Sequence, residues 1–389
     1  MQEFDDIRPY NDREVPRVVG RLLDDPRLIE GAVRLMVPGI ARAVPGLGPP
    51  LARGLLRWKT RSLKSVADVQ LFLARYYARL IRDTTAGLTV SGLEDLPVGR
   101  PYLFISSHRD ISMDTGLVNY VLHRAGHETP EAAVGDNLFS EPLAADFMRL
   151  NKSFMVERSA KGTRAVYRAL SRTSSYIRHV LDAGHSVWIA QREGRAKDGF
   201  DRTEPALLKM LALAWRKEVE TFGALLKRMD VVPVAISYEL DPCDRYKAHE
   251  LTVLEREGSY EKAGNEDLTQ ILEGLNGFKG RVHVHFGPPM HGDFDTPEDL
   301  ARALDVEIVG GLKVFPTQAA AARELSYGPI PETPDWLPAV QAAWQERLRS
   351  VPQDERKFLL AQYGNLIRNR AELGIAVDSL RDRKEEKVL

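Results

Sequence analysis

Cysteine is almost absent from this chain. One thiol, Cys243, stands among 389 residues. No internal disulfide can form and no cysteine-rich metal site is available, so a reducing, cytoplasmic setting is expected. Long apolar runs are missing too. No window of about 18 uninterrupted apolar residues occurs, and no membrane-spanning helix is expected. The first residues, Met1 to Asp6, are acidic and lack an apolar centre, which argues against a signal peptide. Net charge is close to nil, at −1, so the chain has none of the basic excess of a nucleic-acid binder. No Gly-x-Ser-x-Gly elbow is present, which disfavours an α/β serine hydrolase. His108-Arg109-Asp110 imitates a kinase catalytic loop. No glycine-rich phosphate loop, strand lysine motif or Asp-Phe-Gly accompanies it, and that reading is rejected.

A local absence is more telling than the global ones. From Gly31 to Ala67 there is no acid, while Arg34, Arg42, Arg53, Arg57, Lys59, Arg61 and Lys64 fall in the span. Leu35, Met36, Val37, Ile40, Val44, Leu47, Leu51, Leu55, Leu56 and Trp58 are interleaved with them. Basic residues mixed with leucine and tryptophan suit an anionic membrane surface. The plainer alternative is a helical hairpin covering the core, its arginines solvated.

Periodicity divides the chain into three parts. Residues 1–84 read as a helical, basic amphipathic region, interrupted at Pro45 to Pro50. Val66 to Arg82 has its apolar residues at helical spacing. Thr85 to Val98 reads as a connection with short strand character. From Pro101 to about residue 310, strands and helices alternate. Strands are expected at Tyr102–Ile105, Ala132–Val134, Ser153–Val156, Ser186–Ala190, Val231–Tyr238 and Arg281–Phe286. Helices are expected at Met113–Ala125, Pro142–Leu150, Gly162–Ala183, Pro205–Met229 and Thr296–Val309. Such alternation implies an α/β fold, a mostly parallel sheet flanked by helices. Residues 311–389 read as a helical C-terminal extension, with a Pro-rich linker at Pro329 to Pro334 and a charged, solvated end from Arg381.

Ligands of open α/β sheets bind beyond the carboxyl ends of the strands. Four groups are expected at such ends: His108; Arg158; Glu193, Gly194 and Arg195; and Tyr238 with Glu239. His108 follows an apolar run and has Asp110 and Asp114 close behind, an arrangement suited to a general base. The stretch Arg192 to Gly199 packs two glycines and five charges after a strand, as a loop shaped for a polar ligand would. Arg195 and Lys197 are candidates to hold a phosphate. The alternatives are a structural histidine, a surface arginine at Arg158 and a merely charged turn. His283 and His285 alternate on one strand face without nearby carboxylates, and read as packing or surface residues rather than zinc ligands.

Four stretches in order resemble the phospholipid and glycerol acyltransferase family, in a divergent branch. They are Ser107-His108-Arg109; Gly135 to Phe139 with Arg149 to Arg158; Glu193 to Gly199; and Val232-Pro233-Val234-Ala235-Ile236. The family spaces its His and Asp by four residues. Here five separate His108 from Asp114, and the third motif lacks its Thr. Asp114 is the preferred orienting acid because it sits at a helix start; Asp110 is the alternative. The resemblance implies that His108 takes the proton from an acceptor hydroxyl, with Asp114 fixing the imidazole. The N-terminal amides of the following helix are one possible oxyanion source. Arg158, Arg195 and Lys197 would hold the acceptor phosphate, and Glu193 and Gly194 would shape the loop or the acceptor site. The implied donor is acyl-CoA or acyl carrier protein. The implied acceptor is lysophosphatidate or glycerol 3-phosphate, at the inner face of an anionic membrane, with no metal or bound cofactor. A non-catalytic lipid-binding scaffold on the same fold is the competing reading.

Overall fold

The structure is a computed structural model that describes residues 2–36, 45–264, 266–376 and 387–388. Val37, Ile40, Arg42 and Val44 of the acid-free span lie outside the described residues, as do residues 381–386. The side chains of Arg34, Leu35 and Met36 are likewise outside the description. In chain order the helices are α1 (Val15–Asp24), α2 (Pro26–Met36), α3 (Gly48–Thr60), α4 (Val66–Thr84), α5 (Met113–Arg124), α6 (Pro142–Leu150), α7 (Thr163–Asp182) and α8 (Pro205–Ala212). They continue with α9 (Phe222–Met229), α10 (Asp244–Glu257), α11 (Glu266–Asn276), α12 (Pro297–Gly311), α13 (Pro316–Glu324), α14 (Pro338–Ser350) and α15 (Arg356–Glu372). The strands are β1 (Leu88–Ser91), β2 (Leu103–Ser106), β3 (Glu131–Gly135), β4 (Ser153–Val156), β5 (Val187–Ala190), β6 (Val231–Tyr238), β7 (Val282–Phe286) and β8 (Lys387–Val388).

Two compact units result. The first comprises Met1–Arg75 and Glu131–Thr173. It holds the parallel pair β3–β4, in register from Ala132↔Ser153 to Gly135↔Val156. Its core gathers Val15, Val18, Leu22, Leu63, Val69 and Leu150. Buried Asp146 is held by Arg21 (2.6 Å) and by the Tyr10 hydroxyl (2.7 Å), as a withdrawn carboxylate requires.

The second unit comprises Tyr76–Pro130 and Ser174–Leu389. Its strands run in the order β5-β2-β6-β7-β1-β8. The pairs β5–β2, β2–β6 and β7–β1 are parallel, whereas β6–β7 and β1–β8 are antiparallel. The fold is thus α/β with a mostly parallel sheet. Every residue of β2, β6 and β7 is buried, and their near-continuous apolar composition reflects cover on both faces. Pro233 is tolerated inside β6 because the β6–β7 ladder starts only at Val234↔Phe286. The turn 85–98 contains β1, an interior strand rather than a connector. His283 and His285 are buried on β7, where Thr89 Oγ1 (2.7 Å) and Ser91 Oγ (3.0 and 2.8 Å) meet their ring nitrogens.

The helix expected over 205–229 is two helices. Ser174 Oγ donates to Leu211 O (2.9 Å) and accepts from Ala214 N (3.0 Å), while Arg178 donates to Ala214 O (2.8 Å). These side chains take the groups that would have carried the helix on. Thr221 then caps α9, accepting from Ala224 N at 3.1 Å.

Residues 311–376 pack into this same unit. Val340, Trp344, Leu359 and Tyr363 share a buried cluster with Leu240 and Ala248. Helix α15 also grips the loop after β5: Asn365 Nδ2 donates to Asp198 O (2.6 Å) and Asn369 Nδ2 to Asp201 O (3.2 Å). Gly199, at φ +79°, lies so close to the Ala361 and Gln362 carbonyls that a Cβ there would sit 2.7 and 2.6 Å from them. From the other side, Asp305 of α12 accepts from Thr203 N at 2.6 Å.

Burial pushes the Asp305 carboxyl up to about 6 from a model-compound value of 3.8. Between those values the folded chain keeps a proton that the unfolded chain has lost. Its contribution to stability therefore falls as pH rises through that window and stays unfavourable above it. Asp305→Asn keeps an acceptor for Thr203 and removes the charge. The variant is expected to melt higher than wild type at about pH 7.5, with the gain shrinking towards pH 4, as thermal denaturation at the two pH values would show.

Candidate active site

Because β5, β2 and β6 are adjacent and parallel, their carboxyl ends open on one edge of the second unit. His108 follows β2, the loop 191–203 follows β5, and Tyr238 ends β6. Ser107 extends the ladder beyond β2. Its N–H donates to Val234 O (3.0 Å) and its hydroxyl accepts from Ile236 N (3.0 Å), which fixes the backbone immediately before His108.

The His108 side chain is 18% exposed and its acid partner is fully buried. Nδ1 lies 2.8 Å from Asp114 Oδ2. That oxygen also accepts from Arg109 N (2.6 Å) and Asp110 N (2.9 Å), and Oδ1 accepts from the Tyr238 hydroxyl (2.8 Å). With a proton on Nδ1 shared with Asp114, the lone pair is on Nε2, away from the acid. The Trp188 ring stands edge-on to the imidazole, with centroids 5.9 Å apart. Asp114 sits in the first turn of α5, and Tyr77 holds that helix start. Its hydroxyl donates to Ser112 O (3.2 Å), and its ring lies against Gly116, where no side chain would fit.

Asp110 performs another task. Its Oδ1 accepts from Ser112 N (2.9 Å) and Met113 N (2.8 Å), capping α5, and its Oδ2 lies against Gly274 of α11. Burial first, then repulsion from Asp114, raise the Asp110 carboxyl above its usual range. The amides of Arg109, Asp110, Ser112 and Met113 are all taken by these two carboxylates. Of the α5 amides offered as oxyanion donors from the sequence, that of Met113 is thus engaged by Asp110.

The loop after β5 is fastened to the histidine turn. Ala196 N donates to His108 O at 2.7 Å and Gln191 N to Ser106 O at 2.9 Å. Glu193 and Gly194 are exposed, Gly194 with φ +73°. Arg195 is 5% exposed; its Nη2 donates to Gln270 Oε1 (2.6 Å), and its buried Nη1 has no hydrogen-bond partner among the described residues. Lys197 is ion-paired with Glu250. Arg158 is exposed in the first unit and packs near Gly135. Glu239 binds Arg281 (2.6 Å) rather than facing the site. Lys247, almost fully buried, donates to Arg109 O (2.7 Å) and pairs with Asp241, while Arg109 pairs with Asp201.

Residues 87–237 match the family model described as Acyltransferase. This stretch is an acyltransferase-family segment. It spans β1 to β6 and contains His108, Asp114 and the loop bearing Glu193 to Lys197, under half of the whole chain. Tyr238, Lys247 and the α15 clamp lie beyond it. Among solved structures, the 1-acyl-sn-glycerophosphate (LPA) acyltransferase PlsC from Thermotoga maritima aligns with a TM-score of 0.37 and 18% identity, covering 72% of this chain and 90% of that one. No curated protein gives a significant match.

Sequence reasoning placed Tyr238 at a strand end but not on Asp114, and missed Lys247, Gln270, Asn365 and Asn369. One signal was available: Gln362, Asn365 and Asn369 are amides spaced along one face of the helix, amid Leu359, Leu360, Leu366 and Ile367.

Asp114→Asn is expected to lower kcat roughly 10³- to 10⁴-fold, the scale of losing an imidazole-orienting carboxylate. Asp110→Asn keeps a capping oxygen and is expected to cost less than about tenfold. The opposite order in steady-state assays would exchange the two roles. Tyr238→Phe removes one donor from Asp114, worth roughly 1 kcal/mol, or five- to tenfold in kcat/KM.

Proposed function

We propose that the protein is an O-acyltransferase of glycerolipid synthesis, peripheral to an anionic membrane and acting from its cytoplasmic face. It moves an acyl group from acyl-CoA or acyl carrier protein to the hydroxyl of lysophosphatidate, giving phosphatidate. The observation that carries the reading is His108 held through Nδ1 by buried Asp114 at the end of β2, inside the acyltransferase-family segment.

In this mechanism Nε2 removes the proton of the acceptor hydroxyl as its oxygen attacks the thioester carbonyl carbon. Asp114 stabilises the imidazolium that forms and does not itself take the proton. Collapse of the tetrahedral intermediate breaks the carbon–sulfur bond. The leaving thiolate receives the proton from Nε2, which returns the histidine to its starting state. The acceptor phosphate is assigned to Arg195, whose buried Nη1 lacks a partner and whose neighbour Ala196 is tied to His108. Lys197, held by Glu250, supports the loop.

Membrane contact is assigned to α3. Leu47, Leu51, Leu55 and Trp58 are 51, 41, 37 and 60% exposed, at helical spacing, beside Arg57, Lys59 and Arg61. Arg61 stacks over the Trp58 ring at 5.6 Å. Exposed leucines and a tryptophan framed by bases fit an interfacial helix. No helix among the described residues is long and apolar enough to cross a membrane.

Thiol release from palmitoyl- or oleoyl-CoA, and from the acyl carrier protein thioester, tests the reading with lysophosphatidate and with glycerol 3-phosphate as acceptors. Release that depends on lysophosphatidate and falls at least about 10³-fold in His108→Ala is expected. A preference for glycerol 3-phosphate would change the product assigned. Silence with both donors and both acceptors would favour the lipid-binding scaffold.

A further inference from the structure

The apolar stripe of α7 runs on after its cover ends. Thr173, Ile177 and Val180 are buried on one face of this helix. Continuing that face towards the N-terminus, at helical spacing, are Leu170 and Val166, 38 and 39% exposed, with Tyr167 beside them at 46%. Each residue from Lys161 to Arg168 is exposed. Two turns of helix thus present apolar side chains outward within the first unit.

The charge on these turns is one-signed. Between Glu157 and Asp182 the chain has no acid. Lys161, Arg164 and Arg168 make no ion pair among the described residues. Further along the same helix, cations are used internally: Arg172 binds Asp6, and Arg178 binds Glu218 (2.6 Å) and Asp182. Arg164 and Arg168 occupy the polar face of the helix, across from Val166 and Leu170, and Lys161 lies two residues before its first turn. This is the composition of α3, which belongs to the same unit, and one kind of occupant accounts for both.

We propose that Lys161 and the first two turns of α7, through Arg164, Val166, Tyr167, Arg168 and Leu170, form a second contact with an anionic lipid surface. The inference rests on the peripheral-membrane part of the proposed function. The bases would meet lipid phosphates while Val166, Tyr167 and Leu170 enter the headgroup layer.

Co-sedimentation of the full-length protein with vesicles tests this, using phosphatidylcholine alone and phosphatidylcholine mixed with phosphatidylglycerol. Wild type is compared with K161Q/R164Q/R168Q and with an α3 variant, L51S/L55S/W58S. V166S/L170S serves as a second α7 variant, and circular dichroism checks that each is folded. Wild type is expected to bind the phosphatidylglycerol vesicles. The triple glutamine variant is expected to bind about 100-fold more weakly, from the loss of three interfacial charges, and V166S/L170S at least about fivefold more weakly. Binding lost in the α3 variant but retained in both α7 variants would overturn this inference and leave the peripheral-membrane reading standing. No vesicle binding by wild type would remove both. Unchanged vesicle binding with a raised KM for the acyl thioester would assign the patch to the soluble donor and overturn the proposal.

Discussion

A fully buried carboxylate at the mouth of the sheet is the constraint on which the second unit depends. Asp114 is 0% exposed and meets one imidazole, two backbone amides and one phenol. A buried charge with fewer donors is strongly unfavourable, so all four must arrive together. They come from different places. Two belong to the turn after β2 and are local. The phenol belongs to the last residue of β6, 124 positions away. The β2–β6 register, from Leu103↔Val231 to Ser106↔Val234, decides whether it arrives. A slip of one residue would turn Tyr238 to the opposite face. Sheet register and site geometry are therefore one requirement.

The polar clamp around the site follows the same logic at longer range. Lys247 holds the Arg109 carbonyl, Arg109 holds Asp201, and Asn369 holds the Asp201 carbonyl. Asn365 holds Asp198, and Asp305 receives the amide of Thr203. Apolar packing would stabilise these loops at least as well, since buried ionic contacts repay little of their desolvation. Apolar packing does not, however, set the position of a backbone carbonyl to a few tenths of an ångström. Hydrogen bonds with directional donors do. The C-terminal helices hold the loop after β5, and residues 311–376 share a core with β6.

The sequence was most readable where its signals were local. Pro142–Leu150, Ser153–Val156 and Val231–Tyr238 have the limits that their caps and composition indicate. His108 and Asp114 stood out because a strand end, an imidazole and a helix start fall within ten residues. Residues whose fate is decided by distant partners were not readable. The sequence offers Arg195 and Lys197 as phosphate ligands but does not reveal what else holds them. Gln270, 75 positions on, and Glu250, 53 positions on, draw them into the fold. The split of 205–229 depends on Ser174 and Arg178 of another helix. The division into compact units, each assembled from two separate stretches of chain, leaves no compositional mark at its boundaries.

A net charge of −1 conceals how unevenly the charges are used. In the second unit, buried cations such as Arg109, Lys247 and Arg347 are matched to Asp201, Asp241 and Asp244. Their acids lie close because desolvation leaves them no alternative. Arg8, Arg21 and Arg172 of the first unit are matched likewise, to Glu14, Asp146 and Asp6. The spans 31–67 and 158–181 contain no acid, and their Arg57, Arg172 and Arg178 pair with acids from outside them. A surface helix gains solubility equally well from mixed charges, and mixed charges would add i,i+4 pairing within the helix. Excluding acids over two long tracts forfeits that pairing, while apolar side chains are left uncovered beside the bases. Neither choice improves the fold in water. Under the proposed function, an anionic, partly apolar surface would supply both features with a partner.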